Sequence, residues 1–167
     1  KDDYAALDKI RSLIEKMGNP AKAGFNKSKV YTPELPQEEI YGCLPKERTQ
    51  TYDTYNLLNH LVDANSMDEY KKEYGKTIIT TYAKIDGWSV GIVANQRKVV
   101  KSKTGEMQFG GVIYSDSADK ATRFIANCNQ RNIPLVFLQD VTGFMVGSRA
   151  EHGGIIKDGA KMVNAVS

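Results

Sequence analysis

The chain of 167 residues is long enough to bury a hydrophobic core, either as one domain or as part of a larger one. Its hydrophobic content of 41% and charged content of 26% are typical of a soluble globular protein. A net charge of only +3 argues against a dedicated nucleic-acid-binding protein, and no apolar run is long enough to span a membrane, so we expect neither nucleic-acid nor membrane partners.

The first third of the chain predicts one helix followed by a long connector. Apolar residues recur at helical spacing over residues 4–17, which predicts a helix that ends at Gly18. Residues 19–51 carry most of the prolines and little periodicity, so we expect them to be extended. We therefore divide the chain into a helix with its connector at 1–51 and a folded domain at 52–167.

The middle of the chain changes from helical to strand periodicity. Residues 53–63 have helical spacing, and a second short helix is predicted over 67–74. Two β-rich runs follow at 77–83 and 88–94, with an Asp-Gly pair at 86–87 between them. Because this pair favours a two-residue turn, the two runs predict a β-hairpin.

The last third alternates helices and strands. Residues 108–114 predict a short strand or loop, and residues 115–117 start a helix whose first turn Asp119 is placed to complement. A buried strand over 133–138 then breaks into a loop bracketed by glycines, and a final helix is predicted to open near 151–154. The order β-β-(β)-α-β-α favours a layered α/β fold.

The glycine-bracketed loop, residues 143–147, is the leading candidate for a ligand site. Backbone amides in loops at strand ends and at helix N-termini commonly hold ligands in α/β folds. The loop contains no obvious nucleophile, so its chemistry is predicted to rest on orientation and electrostatics. The alternative is that the glycines only permit a tight turn, but Gly153, Gly154 and Gly159 would then weaken the following helix without a packing reason.

Charged residues offer three weaker candidate sites. A basic cluster could hold the phosphates of a nucleotide-like cofactor, although a solvated hairpin tip is the simpler interpretation. Its members are Arg97, Lys98, Lys101 and Lys103. Glu151 and His152 are neighbours in sequence and point about 100° apart on a helix, so they share no acid/base geometry. Asp140, at the end of the strand, either acts as an acidic group or caps loop amides.

Cysteines and histidines form no pattern typical of a metal site or a disulfide. Cys43 and Cys128 are far apart and belong to no CxxC pair, and His60 and His152 lack the spacing of a metal-binding helix. Two reduced thiols in a reducing compartment are the simplest interpretation. We therefore expect no metal in this chain, and a location in the cytoplasm or, in a eukaryote, in the mitochondrial matrix.

Several stretches of the chain, in a fixed order, match one protein family. They are Tyr52–Asp53, Val62–Asp63, Glu69, Tyr74–Gly75, Ile79–Gly87, Val90–Gln96, Ser117–Lys120, Arg123–Ile125, Asn132–Val136, Gln139–Phe144, Gly147, Gly153–Ile156 and Gly159–Lys161. Together they resemble the carboxyltransferase (β) subunits of biotin-dependent acyl-CoA carboxylases. The segment Thr142–Gly147 is most similar to the methylcrotonyl-CoA carboxylase branch, and propionyl-CoA carboxylases differ there. The connection over 97–108 is longer than the family usually has at this place.

The resemblance implies a crotonase-like fold, a ββα spiral of which this chain would be the first part of the C-terminal domain. In the family, biotin carried on a partner domain passes CO2, as carboxybiotin, to an acyl-CoA such as methylcrotonyl-CoA or propionyl-CoA. The implied partners are a biotin carboxylase and biotin carrier subunit, and further β subunits in a dimer-based hexamer. The active site would lie between the N-domain of one subunit and the C-domain of its dimer partner.

The resemblance also implies which residues line the biotin side of the cleft. They are Gly143, Phe144, Met145, Val146, Gly147, Gly153 and Gly154. No side chain is implied as catalytic, because backbone amides stabilise the thioester enolate and the biotin oxyanion in the family. The family's glycine-rich oxyanion turn would lie beyond Ser167, so we expect the chain to be a piece of a longer protein and inactive by itself. Two alternatives remain, a biotin-dependent acyl-CoA decarboxylase of the glutaconyl-CoA type and a non-catalytic crotonase-like interaction module.

Overall fold

The computed structural model describes residues 3–17, 26–47 and 50–167. The helices are α1 (Asp3–Met17), α2 (Thr54–Leu61), α3 (Ser115–Gln130), α4 (Ser148–His152) and α5 (Ile155–Val166), with a 3₁₀ helix at Gln37–Cys43. The strands are β1 (Asp68–Glu69), β2 (Ile78–Ile85), β3 (Trp88–Asn95), β4 (Val100–Lys101), β5 (Met107–Gln108), β6 (Val112–Ile113), β7 (Leu135–Leu138) and β8 (Gly143–Phe144). In these ranges no helix is both long and apolar enough to cross a membrane.

A four-stranded sheet forms the centre of the fold, in the order β1-β2-β3-β7. β2 and β3 pair antiparallel along their full length, with Ile78 opposite Asn95. In the turn between them, Asp86 and Gly87 have φ of 50° and 76°, as a two-residue turn of this twist requires. The predicted hairpin is therefore confirmed, and β7 adds parallel to β3 after the crossover through α3.

β2 and β3 are buried on both faces along most of their length, and successive residues of each strand point to opposite sides. β7 is only partly buried and Phe137 is 44% exposed, so the prediction of a buried strand over 133–138 is wrong in its burial. One face packs against α3, through a cluster of Ile78, Val93, Ile113, Ala118, Ala121, Phe124, Ile125 and Cys128. The other face packs against α2, through a cluster of Leu58, Val62, Ile79, Ala83, Val90, Ile92 and Ala94. The sheet is thus the middle layer between two helices, as the predicted layered α/β fold requires.

α3 lies close to the sheet because a glycine faces it. A Cβ on Gly91 would come within 2.6 Å of the sulfur of Cys128, so a larger residue would push the helix away. The ring of Phe124 packs on that of Tyr82, with the ring centroids 4.9 Å apart. Burial raises the pKa of the Cys128 thiol to about 11, so this cysteine is a core residue rather than a reactive thiol.

α3 also buries a lysine. Lys120 is fully buried, and no residue in the described part of the chain forms a hydrogen bond with its ammonium nitrogen Nζ. Burial lowers the pKa of Lys120 to about 8, although the carboxylates of Glu69 and Asp116 act in the opposite direction.

The Tyr55 hydroxyl lies 2.7 Å from Oε1 of Glu69, and this hydrogen bond connects α2 to β1.

Two small pairs of strands lie beyond the carboxyl end of β3. β4 and β5 form a short hairpin with Val100 opposite Gln108. β6 and β8 pair parallel. The N–H of Gly111 donates to the carbonyl oxygen of Gln96 at 2.8 Å, so residues 97–110 form a segment that is closed at its base.

The helix predicted over 67–74 is wrong. This segment forms β1, in which Asp68 pairs with Tyr82 at the edge of β2, and turns follow it. Lys71 has a φ of 50°, which a right-handed helix does not contain, and the Thr80 hydroxyl donates to the carbonyl of Tyr70 at 3.0 Å. Pairing with the sheet edge therefore overrides the local helical spacing.

The other predicted helices are present with changed boundaries. α1 covers the first of them, while its predicted end at Gly18 lies outside the described residues. α3 has Tyr114 as its N-cap, and the acidic residue of its first turn is Asp116 rather than Asp119. Where one final helix was predicted to open near 151–154, the structure has two: the short α4 begins at Ser148, and α5 begins at Ile155.

The described part of the connector is extended except for its 3₁₀ helix. Isolated bridges join Lys27 to Trp88 at the start of β3 and Pro33 to Asp63 just after α2, so the connector contacts both the hairpin and the end of that helix. The buried carboxylate of Asp63 accepts a hydrogen bond from the N–H of Gly87 at 2.9 Å, which fixes the hairpin turn.

Candidate functional site

The candidate site is the loop after β7, residues 143–147. The N–H of Thr142 donates to the carbonyl oxygen of Gly111 at 2.7 Å, and the N–H of Met145 donates to that of Ile113 at 2.8 Å. These bonds continue the pairing of β6 with β8. One edge of the loop is therefore anchored by backbone hydrogen bonds.

The other side of the loop is open. A Cβ on Gly143 or Gly147 would meet no heavy atom within 4 Å. Gly147 has φ 109° and ψ 158°, a conformation that is essentially restricted to glycine. Val146 is 77% exposed and Phe144 is 41% exposed. Gly143 and Gly147 thus form an open backbone surface, here called the glycine floor, and the apolar side chains of Phe144 and Val146 lie beside it. This surface has room for a flat ligand.

Phe144 rests on α5 at a glycine. A Cβ on Gly159 would lie 2.9 Å from Cε1 of the Phe144 ring. The expectation that Gly159 has no packing reason is therefore wrong, because this glycine makes room for the aromatic ring of the candidate loop.

Gly153 and Gly154 join α4 to α5. Gly154 has a φ of 97° and precedes α5, where its carbonyl accepts the N–H of Asp158 at 3.0 Å. A Cβ on Gly153 would lie 3.0 Å from the carbonyl oxygen of Arg149. The backbone conformation at Gly154 and the close contact at Gly153 therefore explain why glycine occupies both positions at this helix junction.

Asp140 is held from three directions where β7 ends. Its N–H donates to Oδ1 of Asn95 at 3.1 Å, and its carboxylate Oδ2 accepts the Tyr52 hydroxyl at 2.8 Å. The same Oδ2 lies 3.3 Å from Nε of Arg97. Nη1 of Arg97 also donates to the Thr142 hydroxyl at 3.3 Å. Among the described residues the carboxylate bonds to side chains from elsewhere in the chain, rather than capping loop amides.

Two ionisable groups near Asp140 have shifted pKa values. Burial, together with the hydrogen bond to Asp140, raises the pKa of Tyr52 to about 12, so its hydroxyl remains a donor at neutral pH. Burial opposes the ionisation of Asp53, but hydrogen bonds from Lys98 and Gln96 outweigh it and lower the pKa of Asp53. The network therefore contains a protonated phenol at Tyr52 and an ionised carboxylate at Asp53.

A buried amide that the sequence reasoning did not assign to the site organises its base. Oε1 of Gln96 accepts the N–H groups of Thr54, Arg97 and Lys98 at 3.2, 2.8 and 3.1 Å. Its Nε2 donates to Asp53 at 2.9 Å. One side chain thus ties the start of α2 to the start of segment 97–110. The sequence did contain a signal for this role: Gln96 is a polar residue at the end of an apolar strand, and a buried polar group requires hydrogen-bond partners.

The structure separates the predicted basic cluster. Arg97 faces the carboxylate described above, and Lys98 forms an ion pair with Asp53 at 2.8 Å. Lys101 lies on β4 and Lys103 in the turn that follows, and both are exposed. The solvated hairpin interpretation therefore applies to Lys101 and Lys103, while Arg97 belongs to the candidate site.

Glu151 and His152 lie exposed on α4. Nδ1 of His152 lies 3.2 Å from the Ser148 hydroxyl, one turn earlier in the same helix. Arg149 forms an ion pair with Glu106 of the β4–β5 hairpin. α4 therefore links the hairpin to the candidate loop.

An apolar cavity of about 330 Å³ lies between the carboxyl ends of β3 and β7 and helix α5. It is lined by Ile78, Val93, Ala94, Asn95, Ile113, Phe137, Leu138, Gln139, Val141, Met162 and Val166. Strand ends are where α/β folds commonly bind ligands. None of the residues predicted to line a pocket contributes to it, so the cavity and the open face of the loop are separate features.

Metal-ligating side chains are scattered in the part of the chain that the structure describes. There, no group of three or more His, Cys, Asp and Glu residues is placed to hold a metal ion, and Cys43 and Cys128 are free thiols. The candidate site is built instead from glycines, backbone amides and the network around Asp140.

Comparison with known proteins gives consistent matches. The family model for the carboxyl transferase domain matches residues 1–167. The β1 subunit of the biotin-dependent 3-methylcrotonyl-coenzyme A carboxylase of Mycobacterium tuberculosis is 39% identical over 166 residues, which cover 99% of this chain and 29% of that protein. The probable mitochondrial methylcrotonoyl-CoA carboxylase β chain of Drosophila melanogaster is 44% identical over 182 residues, covering 99% of this chain and 29% of that one.

A solved structure is also similar. Transcarboxylase 12S, described as a hexamer assembly with methylmalonyl-coenzyme A and methylmalonic acid bound, superimposes with a TM-score of 0.70 and 35% identity. The match covers 83% of this chain and 25% of the transcarboxylase chain. The chain thus spans less than a third of the length of the relatives it matches.

Proposed function

The chain belongs to the carboxyl transferase domain family, and we propose that it forms part of the carboxyltransferase (β) subunit of a biotin-dependent acyl-CoA carboxylase. In this role the subunit transfers a carboxyl group from biotin to an acyl-CoA. The observation that carries the proposal is the open glycine floor of loop 143–147, in a chain whose relatives are named as such subunits.

The open face of the loop would receive the biotin ring. Biotin, carried on a partner domain, would supply the activated carboxyl group. Gly143 and Gly147 leave room for a flat ring, and Phe144 and Val146 would cover its apolar edges. Met145, tied through its N–H, would hold the loop backbone in place. The loop therefore contributes orientation and exclusion of water.

Gly153 and Gly154 complete the proposed biotin-side wall. They lie at the start of α5, the helix on which Phe144 rests. Their structural reason at the helix junction does not conflict with this role, because a backbone without side chains also lets a ligand approach closely.

We propose 3-methylcrotonyl-CoA as the acyl substrate. Support comes from the named substrates of the two relatives and from the similarity of Thr142–Gly147 to the methylcrotonyl-CoA branch. Propionyl-CoA is the second candidate of the same class. The acyl-CoA would be bound largely by the N-domain of a partner subunit, as the family resemblance implies.

The proposed partners are the biotin carboxylase and carrier subunit and further β subunits. The hexamer assembly of transcarboxylase 12S supports a hexamer for the full protein, and the family resemblance implies that it is built from dimers. We propose a location in the cytoplasm, or in the mitochondrial matrix of a eukaryote; the relative from Drosophila melanogaster is named as mitochondrial.

Transfer of the carboxyl group to free biotin tests the proposed function directly. The full-length subunit is incubated with carboxylated 3-methylcrotonyl-CoA, and release of 3-methylcrotonyl-CoA is followed with and without free biotin. Release that depends on biotin is the expected result. No release, or release at the same rate without biotin, would overturn the proposal.

Gly147→Ala is expected to raise the KM for biotin about tenfold, because a side chain here occupies the open floor and strains a backbone conformation restricted to glycine. Gly105→Ala is the matched control. Gly105 also has a positive φ, of 87°, and open space at its Cβ, but it lies in the hairpin turn. Equal effects of the two variants on the KM for biotin would contradict the assignment of the loop.

A further inference from the structure

Arg97 is a mostly buried cation whose partners lie in the candidate loop. Its side chain is only 18% exposed. It follows β3 directly, and its guanidinium contacts Asp140 through Nε and Thr142 through Nη1, each at 3.3 Å. Both partners lie between β7 and loop 143–147. One side chain therefore bridges the end of one strand and the segment that leaves the neighbouring strand.

Two glycines make the slot in which Arg97 lies. A Cβ on Gly110 would overlap the carbonyl group of Arg97, and a Cβ on Gly111 would overlap its guanidinium. Gly111 has a φ of 75° and also accepts the N–H of Thr142. The absence of side chains at Gly110 and Gly111 therefore makes room for Arg97. Arg97 in turn contacts Thr142, whose N–H is bound by the carbonyl oxygen of Gly111.

The carboxylate of Asp140 has a second partner in Tyr52. The phenol donates to Oδ2 at 2.8 Å, while Nε of Arg97 lies 3.3 Å from the same oxygen without an aligned hydrogen bond. An exposed ion pair contributes little to stability, but a buried guanidinium that loses its carboxylate is left uncompensated. The orientation of Asp140 is thus set by two groups that are distant in sequence.

We propose that Arg97 is a positioning residue for loop 143–147, which acts by fixing Asp140 and Thr142 at the point where the loop begins. Its relevance to biotin rests on the proposed function. The backbone hydrogen bonds from Thr142 and Met145 hold one edge of the loop, and Arg97 sets the direction from which the chain enters it. Without Arg97, the glycine floor remains but its orientation is no longer defined.

The test uses the full-length subunit with Arg97→Met, Arg97→Lys and the control Lys101→Met. Lys101 is exposed on β4, within the same segment 97–110, so its variant removes one positive charge without touching Asp140. Hydrogen exchange of a peptide covering 139–147 is followed by mass spectrometry, together with a core peptide from β3. Steady-state kinetics give kcat and the KM values for biotin and acyl-CoA.

We expect Arg97→Met to speed amide exchange in 139–147 about tenfold, with the β3 peptide unchanged, since a charged contact of this kind changes local equilibria by about that factor. The KM for biotin should rise by a similar factor, with the KM for acyl-CoA unchanged. Arg97→Lys should restore part of both effects, because an ammonium reaches one partner and not two. Lys101→Met should change neither.

Unchanged exchange in 139–147 would overturn the positioning role, as would equal increases in the loop and in β3, which indicate general destabilisation. If Arg97→Met does not fold, Asp140→Asn provides the second test, and it must reproduce the exchange pattern of Arg97→Lys. Exchange does not depend on carboxyl transfer. An inactive wild type with a responsive loop would therefore overturn the proposed function alone.

Discussion

At the scale of single residues, the candidate loop depends on positions where a side chain is absent. Phe144 lies against Gly159, and Arg97 lies against Gly110 and Gly111. The sequence shows these glycines, but it does not show which distant group each one accommodates. The contact between Tyr52 and Asp140 joins residues 88 positions apart, so no local pattern predicts it.

The pairing of Phe144 with Gly159 predicts a non-additive response to substitution. Gly159→Ala should improve the intrinsic stability of α5 by about 1 kcal/mol, but in the wild type the new methyl group displaces the ring. In a Phe144→Ala background the full gain should appear. Urea unfolding of the four proteins of this cycle measures the coupling. The same gain in both backgrounds would show that the ring does not depend on Gly159.

At the scale of helices and strands, elements with a strong local sequence pattern were predicted correctly, whereas a strand that forms only by pairing at the sheet edge was not. The Asp-Gly turn, the apolar stripe of α3 and the glycine-bracketed loop were all predicted from their own residues. β1 was predicted as a helix, because its conformation is set by pairing with Tyr82 and Thr81 across the sheet edge. The crotonase-like fold came from the family resemblance, and the structural match to transcarboxylase 12S confirms it.

The β2–β3 turn predicts a sharp difference between two adjacent substitutions. Gly87→Ala should lower the free energy of unfolding by about 1–3 kcal/mol, because the residue has a φ of 76° and its Cβ would overlap the carbonyl oxygen of Ser28. Asp86→Asn should change it by less than about 0.5 kcal/mol, because asparagine tolerates a positive φ. Thermal or urea unfolding distinguishes them, and similar losses in both variants would contradict this account of the turn.

At the scale of the whole molecule, the sheet is enclosed by two helices and one of them carries a buried charge. Lys120 lies on α3 with its ammonium group shielded from water, and no hydrogen-bond partner for it is found in the described ranges. Taking an ammonium out of water opposes folding of the whole domain. The resulting cost depends on pH, because the neutral amine is easier to bury.

The free energy of unfolding should rise with pH on account of Lys120. The pKa of Lys120 is about 8 in the folded protein, and its ordinary value of 10.5 applies to the unfolded chain. Between these two pH values the unfolded chain therefore binds more protons than the folded one. Below pH 8 the burial cost is fully present, on the order of 3 kcal/mol. Lys120→Met should therefore be more stable than the wild type at pH 7, and the difference should shrink between pH 8 and 10.

Urea unfolding at several pH values measures this difference, with Lys103→Met as an exposed control. Cys128 titrates in the same range with the opposite sign, because its raised pKa disfavours the folded state as the unfolded thiol ionises. Subtracting the two proteins removes the cysteine contribution. A difference between Lys120→Met and wild type that stays constant from pH 7 to 10 would contradict the role of the buried ammonium.

The closed base of segment 97–110 makes the β4–β5 hairpin a suitable place for grafting. The hydrogen bond from Gly111 to Gln96, and the amide contacts of the Gln96 side chain, fix the two ends of the segment independently of its tip. Because lengthening a closed loop adds little entropic cost, a peptide tag or fluorescent reporter inserted between Lys103 and Gly105 should leave the sheet intact. The hairpin could therefore hold a sensor that reports from beside the candidate loop.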